Sequence, residues 1–317
     1  MNLVRALAVM LASAALAGCV ETAAAPPAAP KPKPRSEAIL PPQALPLPGP
    51  GPLSGPAAAY YAKMQANLLS QGLMRTDGGA GIAFDAQRLT DAFLNIAFYE
   101  EYATQGDRLV ARATQSRLQR WTRPVQIRIV TGAAVDPARA TRDRALIAGY
   151  AARLGRLTGH PVGMTQAGGN FTVLILTEDE RVAYGRNLML LMPGLHPATY
   201  DAIINMDPST YCLVVARDGG GSNSYVQAVA VIRAEHPDLL RLSCIHEELA
   251  QGMGLPNDDP RAYPSIFNDD EEFALLTRMD EMMLRILYDP RLHPGMTEAE
   301  ARPVVMRIAQ ELVGGPA

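Results

Sequence analysis

The segment Cys244–Asp258 concentrates the residues able to do chemistry. It reads Cys-Ile-His-Glu-Glu-Leu-Ala-Gln-Gly-Met-Gly-Leu-Pro-Asn-Asp. His246 followed by Glu247 suggests a helix that holds zinc through two imidazoles one turn apart. The residue four further on is Ala250, so the second imidazole is missing. At about 100° per residue, Leu242, Ile245, Leu249 and Met253 form one apolar stripe, and His246 sits on its flank. A packed or capping histidine is the expected role there, and a metal ligand the alternative. Glu247, Glu248 and Gln251 make the opposite, polar face, which ends at Gly254. Adjacent glutamates diverge by about 100° around a helix. Glu247 and Glu248 are therefore not expected to face one another as a glycosidase pair does, and a partner acid such as Asp258 or Asp269 would be needed.

The elements that must position this helix read as α/β. Residues 60–119 carry helical spacing at Leu89, Phe93, Ile96 and Ala97. Strands are expected at Val125–Val130, briefly from Val162, and at Phe171–Leu176, Tyr211–Ala216 and Val226–Ile232. Helices are expected at Arg139–Leu157, over part of Glu178–Met192, from Pro237 to about Gly254, and at Glu298–Leu312. Gly219-Gly220-Gly221-Ser222 lacks the Lys-Ser and helix of a phosphate cradle and reads as a hairpin turn or a rim. The acid run Asp269-Asp270-Glu271-Glu272 is expected to open a helix whose dipole favours negative charge, a cation site being the alternative. That helix would continue through Leu275, Met279, Met283 and Ile286 as core.

Shifted by one residue, the segment becomes E-E-x-x-Q-x-x-G-L-x-N-D. It then resembles the long zinc motif of the metzincin metallopeptidases, H-E-x-x-H-x-x-G-x-x-H. Glu247 stands at the first ligand, Glu248 at the general base, Gln251 at the second ligand and Asn257 at the third, with Asp258 next. Pro264-Ser265-Ile266-Phe267-Asn268 resembles the Met-turn, with Phe267 in place of methionine. The chain also resembles DUF2927, a proteobacterial family of lipoproteins of unknown function, in the E-E-x-x-Q helix and the Ser265–Phe273 stretch. These resemblances imply a metzincin-like fold: a mixed, mostly parallel sheet, an active-site-type helix and a C-terminal helical subdomain.

The altered ligands change the expected chemistry. Zinc prefers imidazole and thiolate. Gln251 and Asn257 offer neutral amide oxygens, which suit a hard cation such as Ca²⁺ better. The leading expectation is a non-catalytic scaffold with no bound cofactor. Its polar cluster of Glu247, Glu248, Gln251, Asn257 and Asp258 would line a groove for a peptide or envelope protein. One alternative is a zinc or calcium site built from Glu247, Gln251 and Asp258. Another is a metal-dependent hydrolase with Glu248 as general base.

Composition frames this. The chain has 317 residues, 48% hydrophobic and 19% charged, enough for a sizeable core. A net charge of -3 argues against a nucleic-acid partner. Residues 1–18 read as a signal peptide: Arg5 precedes the apolar run Ala6–Leu16. Leu16-Ala17-Gly18-Cys19 resembles a bacterial lipobox, which implies lipidation of Cys19. Val20 rather than Asp follows, which implies an outer-membrane lipoprotein facing the periplasm. Residues 19–59 are a Pro/Ala-rich tether, extended over on the order of 100 Å if straight, with a proline-rich ligand as the alternative reading. The globular part is 60–317: a helical portion to 120, the metzincin-like core at 121–290 and a C-terminal helix at 291–317. Cys212 and Cys244 are expected to pair in an oxidising compartment, two buried thiols being the alternative.

Overall fold

The computed structural model describes residues 51–106 and 108–314. The expected signal peptide, Cys19 and the tether up to residue 50 lie outside the described residues. The tether's expected end is corrected: Ser54–Ala59 belongs to the first helix, α1 (Ser54–Ser70).

The sheet is laid down by apolar runs. In order along the chain come β3 (Arg120–Trp121), β4 (Val125–Thr131), β5 (Val162–Met164), β6 (Phe171–Leu176), β7 (Cys212–Asp218) and β8 (Ser224–Arg233). The preceding β1 (Tyr99–Gln105) and β2 (Arg108–Gln115) form a separate antiparallel hairpin. The spatial order is β3-β8-β6-β4-β5, with every neighbouring pair parallel. Strand β7 pairs antiparallel with β8. The turn between them uses left-handed backbone at Gly220 and Gly221, as a hairpin reading of the glycine run requires.

Every residue of β6 is buried, as a parallel strand covered on both faces demands. Its side chains divide the core. Phe171, Val173 and Ile175 join Ala228, Ala230 and Ile232 of β8 on one face. There they meet α2 (Ala86–Ala97), α3 (Pro137–Thr158), α7 (Asp238–Gln251), α8 (Arg278–Leu287) and α9 (Glu298–Gly314). Leu174 and Leu176 join Val229 and Val231 on the other. They pack against the short helices α4 (Glu178–Ala183), α5 (Gly185–Leu191) and α6 (Pro197–Ile204). The α/β class and the mostly parallel sheet are thus as expected.

Two local expectations are corrected. Residues 99–105 and 108–115 are not helical but form the β1–β2 hairpin. The acid run does not open a helix. Asp269 and Glu271 have left-handed backbone (φ 58° and 56°), and α8 begins only at Arg278. The reason is competition for the backbone. Met74 and Arg75 donate their amides to the carbonyls of Glu271 and Glu272, both at 2.7 Å, and Ala274 donates to Arg75. Thr277 then caps α8 reciprocally with Asp280.

Candidate functional site

Helix α7 carries the site because of how it is anchored. Tyr150 of α3 stacks on His246 (ring centroids 4.2 Å apart) and donates its hydroxyl to the His246 carbonyl at 2.7 Å. The His246 Nδ1 accepts the Leu276 amide at 3.3 Å. Burial, with Arg153 adding to it, drives its pKa down to about 3, so the ring is neutral. His246 is thus a packing and hydrogen-bonding residue facing away from the cleft.

The C-terminal end of the helix is fixed by close approach. Gly252 accepts from Trp121 Nε1 at 2.8 Å. Gly254 has φ 127°, and a Cβ there would lie 2.3 Å from the Gln119 carbonyl oxygen. The chain then turns out of the helix.

The opposite face of α7 opens onto a cleft of about 630 Å³. One wall is the segment Cys212–Ala216 of β7. Another is the β1–β2 hairpin, through Glu100, Glu101, Tyr102 and Leu109. Glu247, Glu248 and Gln251 form the floor, and Asp258, Asp269 and Glu271 close the far side. Among the described residues, β7 pairs only with β8, so its outer edge faces this space. A disulfide joins Cys212 of β7 to Cys244 of α7 and ties wall to floor.

Among the described residues, seven carboxylates line the cleft, and no Lys, Arg or His does. Glu248 is 3% exposed, and its Oε2 has no hydrogen-bond partner among the described residues. Glu247 is half-buried, and an oxygen of its carboxylate lies within 4.8 Å of one from Glu248. The pair therefore converges in the cleft, against the expected divergence. Gln251 Nε2 lies 3.3 Å from Asp258 Oδ1. Burial, reinforced by mutual repulsion, holds Glu247, Glu248 and Asp258 well above the usual carboxylate range. Burial likewise pushes Glu101 and Glu271 up to about 7.

Asn257, expected in the cluster, is corrected. It is buried and donates to the Asn95 carbonyl at 2.8 Å, pinning the loop to α2 rather than lining the cleft. The Met-turn-like segment lies under the loop. Asp259 donates its amide to the Phe267 carbonyl at 2.8 Å, and Ser265 donates to Asp280 at 2.5 Å. Sequence reasoning missed Glu100, Glu101, Tyr102 and Glu271 as cleft residues. The hairpin was hidden inside a helical reading, and Glu271 inside a helix-capping one.

A zinc site does not fit these donors. The three positions corresponding to metzincin ligands are Glu247, Gln251 and Asn257. Gln251 is turned to Asp258 and Asn257 to Asn95. The remaining donors are oxygens, which zinc takes less readily than nitrogen and sulfur.

Residues 86–307 match a family described as a protein of unknown function, DUF2927. The chain belongs to DUF2927. The matched span holds the whole sheet, α7 and the acid loop, so this DUF2927 member carries its cleft within the family's own region. Neither a curated protein nor a solved structure matches the chain.

Proposed function

We propose that this DUF2927 protein is a non-catalytic binding module, lipid-anchored through Cys19 at the periplasmic side of the outer membrane. Its cleft takes an extended polypeptide. The observation that carries the reading is the outer edge of β7, which lines the cleft beside α7. An exposed strand edge offers main-chain hydrogen bonds to an added strand, and alternate side-chain pockets supply selectivity. The metzincin-like scaffold belongs to the same proposal. It is supported by the antiparallel edge strand beside a mostly parallel sheet, by the glycine that turns the chain out of α7 and by the turn at 264–268 beneath it. The histidine ligands of that scaffold are replaced, and the zinc-activated water is lost with them.

The test is hydrogen exchange on the full chain in detergent with a set of unstructured peptides. Peptide binding should slow exchange of amides in Cys212–Ala216. Protection confined to other segments would end the reading.

A second reading, a hydrolase using Glu248, is favoured by one observation. A buried carboxyl with raised proton affinity facing a cleft is suited to acid–base work. Cleavage of the same peptides that disappears in Glu248→Gln would support it over the first.

A further inference from the structure

Other buried acids among the described residues have a partner on at least one carboxylate oxygen, although Asp143 Oδ2 and Glu235 Oε2 have none. Asp143 pairs with Arg241 at 3.1 Å, and Glu180 is held by the Thr177 cap. Asp280 accepts from Ser265, Ile266 and Thr277. The cleft differs, among the described residues, in having no cationic side chain in its lining. Among the described residues, none of its seven acids takes part in an ion pair. Leaving a buried acceptor such as Glu248 Oε2 without a partner is costly.

We propose that the floor of the cleft is a binding site for one hard divalent cation of the Ca²⁺ type, held directly by the Glu247 and Glu248 carboxylates. Ca²⁺ binds oxygen at about 2.4 Å, so two oxygens on one ion stand at most about 4.8 Å apart. The two glutamates meet that limit. The Cys212 sulfur also lies within it, but it is committed to the disulfide, so the donors left are oxygens. Asp258 and Glu101 add negative charge around the ion, and the open volume leaves room for the waters that complete six to eight ligands. Glu248, unused by strand addition, thereby gains a partner. The metzincin-type positions Gln251 and Asn257 are not the ligands.

This site does not rest on the peptide reading. One is read by cation titration and the other by exchange of β7 amides, so either can fail alone.

The experiment uses the full chain in detergent, stripped with chelator and dialysed. Tb³⁺, which shares the oxygen preference of Ca²⁺, is titrated while emission is excited through tyrosine, since Tyr102 lines the cleft. Emission should saturate at one ion per chain. CaCl₂ should displace it with an affinity of roughly 10⁻⁵–10⁻³ M, and Ca²⁺ should raise the Tm saturably. In Glu248→Gln the affinity should fall about tenfold or more, because such sites follow the number of charged ligands. The Ca²⁺-dependent rise in Tm should shrink with the affinity. Glu247→Gln gives the same reading of affinity if the first variant fails to fold. Emission that does not saturate, or saturable binding unchanged in both variants, would overturn the site. Lack of Ca²⁺ competition would do the same, leaving shared protons as the occupants of these carboxylates.

Discussion

Tyr150 and His246 lock the rotation of α7: the phenol ring lies over the imidazole, and its hydroxyl bonds the carbonyl of the same histidine. With the imidazole fixed against α3 and the Leu276 amide, the Glu247, Glu248 and Gln251 side chains have only the cleft to enter. His246→Ala would remove the stack and leave the Leu276 amide buried without its acceptor. The expected loss is about 2–4 kcal/mol, read by urea unfolding. Peptide protection of β7 should survive in the folded fraction. A variant as stable as the parent would mean that the stack does not anchor the helix.

The parts of the fold legible in the sequence are those where burial sets the pattern. Strand β6 is apolar at every position but Thr172, and β4 alternates Val125, Ile127 and Ile129 inward. The polar face of α7 was legible because its apolar stripe was. The hairpin was not, because β2 is almost wholly exposed and carries no apolar alternation to read. The acid run misled for a different reason. Four acids suit a helix N-terminus, but the backbone of 271–274 is bound to residues 74 and 75, a contact nearly two hundred residues away in sequence. Asn257 was placed by motif spacing alone, and spacing says nothing of the Asn95 carbonyl that captures it.

The Cys212–Cys244 bond closes a loop of sequence separation 32. Cys244→Ser should therefore lower stability by about 3–4 kcal/mol through the freed unfolded chain. Exchange should also rise selectively in β7, which loses its tie to α7. Urea unfolding and hydrogen exchange check both. Uniform exchange changes across the sheet would show that the bond does not act on the cleft wall.

Gly254 is where the helix end meets the β3 side of the fold. Gly254→Ala would put a methyl on the Gln119 carbonyl and against Leu287, at a backbone conformation that disfavours any side chain. The backbone part alone should cost about 1–3 kcal/mol. The measurement is the urea midpoint against the parent. Little or no change would mean that the loop leading to Asp258 can shift freely, and the cleft floor with it.

The acids at the cleft rim give stability an inverted pH dependence in the chelator-treated protein. Glu271 faces its loop neighbours Asp269 and Asp270, with Asp258 beside it and Glu247 on the floor, and no positive group among the described residues offsets them. Burial first and this repulsion second raise its pKa from 4.5 to about 7. The folded state thus holds a proton that the unfolded chain has already released. The contribution is fully present below about pH 4.5 and is lost as pH rises through about 7. Glu101 adds in the same direction over the same window. The urea midpoint should accordingly be higher at pH 5 than at pH 7.5, and Glu271→Gln should flatten that slope by keeping the position neutral throughout. A midpoint that rises from pH 5 to 7.5 in the parent would show that these carboxylates ionise freely in the folded protein.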